Sequence, residues 1–113
     1  MNPVPPVTGN DATTAGLQLI ISGDQYNTIS KPSEIVAAAA ANVAVELLDG
    51  KTPKADASLF NTPTRLFTPT LITAENLKAE VIDKKINGKP IATAADLCAG
   101  RYAEGCKKLG ITP

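Results

Sequence analysis

One stretch constrains this chain more than any other: Val7–Lys31, VTGNDATTAGLQLIISGDQYNTISK. It reads as strand, sharp turn, short helix, strand. Gly9, Asn10 and Asp11 supply the turn after an apolar Val7–Gly9 strand. Thr13 or Thr14 caps a helix over Ala15–Ser22, with Leu17, Ile20 and Ile21 on its inner face. Gly16 weakens that helix, and Gly23 ends it in the left-handed conformation. The second strand runs Tyr26–Ser30, where β-branched Thr28 and Ile29 suit a covered sheet, and Pro32 stops it after Lys31. A right-handed crossover makes the two strands parallel. Ligands of open α/β sheets bind beyond the carboxyl ends of such strands. Asp11 and Lys31 stand at those two ends, an acid and a base converging on one candidate site. Each also has a plainer reading, since Asp11 suits a helix N-cap and Lys31 a solvated strand end.

The next element is a helix from Ser33 to Asp49, started by Pro32 and Ser33 and stopped by Gly50. Val36, Ala40, Val43, Leu47 and Leu48 recur at helical spacing, and the five alanines Ala37–Ala41 allow close approach to a sheet. Lys51–Asn61 is polar and reads as a surface excursion, while Pro63–Pro69 alternates as an edge strand does. Leu71 and Ile72 extend that strand before Thr73 caps a short helix, Glu75–Lys85, with Leu77, Val81 and Ile82 inward. Asn87-Gly88 turns the chain. Thr93–Leu109 is a helical tail interrupted at Gly100 and Gly105. The order of elements is that of a layered α/β domain. Only three strands can be counted, fewer than the ~5–6 of a typical sheet, so the chain reads as a piece of a larger fold, preceded by the proline-rich lead-in Met1–Pro6.

Composition narrows the function classes. Eleven basic residues balance eleven acidic ones, so no long-range field draws the chain to nucleic acid. There is no histidine and no paired-carboxylate motif, which argues against an enzyme. With two cysteines and no histidine no metal site is expected, and no cofactor. No apolar run approaches the ~20 residues that span a bilayer. The N-terminus MNPVPPV lacks the plan of a signal peptide.

Cys98 and Cys106 lie eight positions apart. On a continuous helix that is ~12 Å, at about 1.5 Å per residue, too far for a disulfide, which needs Cα atoms within about 7 Å. A bond requires the helix to break, and Gly100 and Gly105 offer the breaks. A small hairpin clasped by Cys98–Cys106 is therefore expected, in keeping with an oxidising, exported setting. Two free thiols in a reducing compartment are the other reading.

The run VTGND…ISGDQYNTISKPSEIVAAAAANVAVELLDGK…TRLFTPTLITAENLKAEVID resembles the C-terminal third of the periplasmic pentose-binding proteins, in particular their xylose-binding branch. The features are GxD at a strand end, TxxKP twenty residues on, an AxxxAxxLxxG helix and a TP-rich strand, together covering residues 5–88. The resemblance implies a partial three-layer lobe of a Venus flytrap fold, a parallel sheet flanked by helices, with the hinge and edge strand inside residues 1–88 and a helical tail over 89–113. It implies the solute-binding component of an ABC sugar importer, with a pentose as ligand and a membrane permease as partner. The location implied is periplasmic or extracellular, with a lipoprotein anchor as an option in the full-length protein. Asp11 matches the carboxylate that accepts from sugar hydroxyls, Lys31 the lysine that donates to the sugar in the xylose branch, and Asn10 a variable lining position. The family's other cleft residues would lie before Met1, in an N-terminal portion that becomes a partner of this chain. Two alternatives stand beside this reading. One is the sensing lobe of a sugar-responsive transcription regulator or two-component sensor. The other is a fragment that self-associates as a homodimer and binds no sugar.

Overall fold

The computed structural model describes residues 5–113, so most of the lead-in Met1–Pro6 lies outside the described residues. The chain divides into two compact units, one formed by residues up to Lys31 together with Pro69–Pro113, the other by Pro32–Thr68.

The first unit opens with helix α1, Thr14–Ser22. Thr13 is its N-cap, its hydroxyl accepting from the Gly16 N–H, and Gly23 closes it at φ 85°, a left-handed value that costs glycine little. Asp11 is therefore not the cap of this helix. Strand β1, Asn27–Ser30, follows. The parallel partner expected for it shrinks to a single bridge, Thr8 to Asn27, in which Gly9 N–H donates to the Asn27 carbonyl at 2.9 Å and Tyr26 N–H to that of Val7 at 2.7 Å. Its main partner is an antiparallel strand far along the chain, Thr70–Thr73, with Asn27 opposite Thr73 and Ser30 opposite Thr70. The fold is mixed α/β with small antiparallel sheets.

Leu17, Ile20 and Ile21 of α1 pack with Ile72, Leu77, Val81, Leu97 and Ile111 in one core. After the strand Thr70–Thr73, Thr73 does not cap a helix. Its N–H is instead held by the Asn76 side chain at 2.8 Å, and a π-helical segment, Lys78–Asp83, follows. Leu77 and Val81 are buried as their spacing implied, and Ile82 lies at the core's margin. Asn87 (φ 51°) and Gly88 (φ 78°) make the tight turn between Ile86 and Lys89.

The tail holds two short helices, Ala94–Leu97 and Ala103–Lys108, with a 3₁₀ turn, Gly100–Tyr102, between them. Gly100 (φ 59°) makes the break. Gly105 does not: it lies inside the last helix, and a Cβ there would meet the Ile21 carbonyl oxygen at 2.5 Å. Its missing side chain is what lets the tail lie against α1. The break brings Cys98 and Cys106 to a Cα separation of 5.8 Å, and they form the expected disulfide, buried in the core.

The second unit is helix α2, Ser33–Leu48, and a hairpin. The hairpin strands are Ala57–Leu59 and Thr62–Thr64, turning through Phe60 and Asn61 at positive φ. The excursion expected over Lys51–Asn61 thus contains a strand. No residue of α2 is buried. The apolar stripe expected to meet a sheet is exposed, Val36 at 52% and Leu48 at 87%. Within the unit the stripe meets only loop and hairpin, leaving a groove of about 560 Å³ lined by Val36, Ala40, Val43, Pro53, Pro63 and Phe67.

Candidate functional site

The site is built at the turn between the Thr8 bridge and α1. Asp11 (φ 75°) and Ala12 (φ 48°) are two successive non-glycine residues in the left-handed region, a conformation that costs each of them on the order of 1 kcal/mol or more. Three contacts hold the turn. The Asn10 side-chain oxygen accepts from the Asp11 N–H at 2.9 Å. The Thr28 hydroxyl accepts from the Ala12 N–H at 3.1 Å. Ala12 itself is buried in the core. Thr28 is 1% exposed and sits mid-strand in β1, so the turn is tied to a buried position of the sheet.

This conformation projects the Asp11 carboxylate outward, where it meets the Lys31 ammonium. The Lys31 Nζ lies 3.0 Å from Asp11 Oδ1, and both side chains are substantially exposed, at 49% and 65%. Lys31 directly follows Ser30, the buried last residue of β1, and directly precedes Pro32, so its backbone is held on both sides. The acid and base that the sequence placed at two strand ends are thus brought together. Asn10 is also at the site, but its side-chain oxygen is engaged with the backbone of Asp11.

Two supports were not legible in the sequence pattern. Thr28 reads there as a strand-former, and its role as a buried acceptor appears only once Ala12 is placed. Gln25 is the second. Its Nε2 donates to the Asn27 carbonyl at 2.8 Å, and its amide fills the space that a side chain at Gly9 would need. A side chain at Gly9 would displace that amide and its bond to the Asn27 carbonyl.

The chemistry available is polar recognition. A carboxylate accepts from two hydroxyls and an ammonium donates up to three bonds, and such charge-assisted bonds are roughly twice as strong as neutral ones. Among the described residues, no cluster of three or more His, Cys, Asp or Glu side chains could hold a metal, and no helix is long and apolar enough to cross a membrane. The aromatics Tyr26 and Phe67 are both exposed, and Phe67 belongs to the second unit.

No family model matches the sequence. The chain is 42% identical over 80 residues to the D-xylose-binding periplasmic protein of Escherichia coli, a match covering 67% of this chain and 24% of the relative. It is 35% identical over 82 residues to the protein of the same name in Haemophilus influenzae, with the same shares covered. Among solved structures, it superimposes on a carbohydrate transporter solute-binding protein from Chloroflexus aurantiacus in complex with D-glucose. That match has a TM-score of 0.69 and 32% identity, and covers 80% of this chain and 26% of the other. The chain spans about a quarter of the length of these relatives.

Proposed function

We propose, from this chain's membership over its matched residues in the periplasmic sugar-binding protein family, that it supplies one wall of a monosaccharide-binding cleft. Asp11 accepts hydrogen bonds from sugar hydroxyls and Lys31 donates to them. The observation that carries this reading is the 3.0 Å approach of Lys31 Nζ to Asp11 Oδ1, held up by a costly left-handed turn. Backbone strain of that kind clusters at ligand sites. A sugar that enters replaces one exposed ion pair with several hydroxyl contacts to the same two groups.

Xylose is the first candidate ligand, because two relatives bear its name; glucose is the second, because the solved neighbour holds it. The whole protein would be the solute-binding component of an ABC importer in the periplasm, delivering sugar to a membrane permease. The two passages between units, Lys31–Pro32 and Thr68–Pro69, would be hinge segments. Asn10 is then a support for Asp11 more than a ligand contact.

The test is a chimera in which this chain replaces the matched stretch of the E. coli relative, titrated with xylose, glucose and ribose by calorimetry. The expected result is xylose binding that Asp11→Ala weakens on the order of a hundredfold, the loss of two or so charge-assisted bonds. A folded chimera that binds none of the three sugars would overturn the reading, as would one indifferent to Asp11→Ala.

A further inference from the structure

The strand Thr70–Thr73, here β4 after the hairpin strands β2 (Ala57–Leu59) and β3 (Thr62–Thr64), pairs with β1 along one edge. Among the described residues, no strand pairs with its other edge. Antiparallel ladders bond through alternate residues, so the backbone groups of every second residue point outward. The outward groups are those of Leu71 and Thr73, and one residue occupies three of them. Asn76 Nδ2 donates to the Leu71 carbonyl at 2.8 Å, Asn76 Oδ1 accepts from the Thr73 N–H at 2.8 Å, and the Asn76 backbone N–H donates to the Thr73 carbonyl at 3.3 Å.

A side-chain amide offers the same donor and acceptor as a peptide group. Asn76 therefore stands where the backbone of a neighbouring strand would stand. Free strand edges are templates for pairing with another chain. We propose that Asn76 is an edge plug that withholds β4 from a second copy of this chain.

The occupant follows from the register. About a two-fold axis at Ile72, Leu71 of one copy faces Thr73 of the other, and such a pair exchanges both of its N–H···O bonds. The bonds made are from the Thr73 N–H to the opposite Leu71 carbonyl, and from the Leu71 N–H to the opposite Thr73 carbonyl. Three of the four group types in that exchange are those Asn76 now holds. Nothing in Thr70–Thr73 opposes self-pairing: the strand carries no charge, and its Leu71 side chain is 49% exposed. Pro69 limits the pairing to this short stretch.

The test combines sedimentation equilibrium with hydrogen exchange at the Leu71 and Thr73 amides. Asn76→Ala is expected to tighten self-association on the order of tenfold or more, with the Leu71 amide gaining protection as concentration rises. Adding Leu71→Pro removes an outward donor from the edge, and the double variant is expected to return to the wild-type state of association. Should Asn76→Ala fail to fold, Asn76→Ser is uncharged and shorter, keeps a hydroxyl beside the Thr73 N–H and gives up the donation to the Leu71 carbonyl, and the same readings apply. An association unchanged from wild type in the folded variant overturns the proposal. So does an association that survives Leu71→Pro, because it then uses another surface.

Discussion

The Lys31 ammonium and the Asp11 carboxylate, twenty positions apart in sequence, meet at 3.0 Å on the surface of one unit. Both groups are too exposed for their attraction to matter much to folding, since such pairs contribute about 0–1 kcal/mol. Asp11→Asn and Lys31→Met are therefore each expected to move the urea midpoint by the equivalent of less than ~1 kcal/mol. A loss well beyond that in chemical denaturation would mean the pair serves the fold, and its reading as ligand-contacting groups would lose its ground.

Thr28 is the buried support of the same turn. Thr28→Val keeps the shape of the side chain but leaves the Ala12 N–H without its acceptor. The expected cost is about 1–3 kcal/mol, the penalty for an unsatisfied buried donor. Thr28→Ser restores the hydroxyl and is expected to recover most of it. Amide exchange at Ala12 separates the two variants directly: fast in the valine form, protected in the serine form.

Gly105 tests how the tail is seated. Alanine is the better helix former by about 1 kcal/mol, so an exposed helix would gain from Gly105→Ala. Here the added Cβ meets the Ile21 carbonyl and side chain, and the helix must shift away from α1. The expected outcome is a net loss of about 1–3 kcal/mol, as for overpacking of a core. A thermal midpoint at or above that of the wild type would show that the tail does not rest on α1 in solution.

Asp96 gives a dependence on pH. The Thr93 hydroxyl, and after it the Thr93 backbone N–H, hold its carboxyl below the ordinary range. A depressed folded-state value means the stabilisation is present above about pH 4, the usual unfolded value, and is lost as pH falls through the lower folded one. The difference in stability between wild type and Asp96→Asn is thus expected to be constant from neutral to weakly acidic pH and to shrink below about pH 4. A difference that grows on acidification would contradict the capping box at the start of Ala94–Leu97.

Much of this molecule could be read from local chemistry. The Thr13 cap, the left-handed Gly23, the Asn87-Gly88 turn and the buried face of α1 depend on residues within a few positions of one another. The Cys98–Cys106 bond belongs with them, because helix geometry forbids it unless a nearby glycine breaks the helix, and Gly100 does. Asp11 and Lys31 were legible as strand-end charges, and so was the resemblance to sugar-binding proteins that their spacing carries.

The rest depended on surfaces that no local pattern specifies. Strand Asn27–Ser30 signals its existence through β-branched residues, yet its partner lies about forty residues away, and the antiparallel direction follows from where the chain returns. The same is true of Thr28, whose hydroxyl has meaning only beside Ala12, and of Gly105, whose lack of a side chain matters only against Ile21. Helix α2 makes the point in reverse. Its apolar periodicity correctly made a helix, but whether that face is covered depends on a second surface, and the hairpin of its own unit covers none of its residues fully. Sequence alone determined helix α1 with its Thr13 and Gly23 ends, the helical run of α2 and the candidate pair, because those rest on short-range sterics and hydrogen bonds. Tertiary structure decided pairing direction, burial and the turn that joins Asp11 to Lys31, because each of these requires two distant segments to meet.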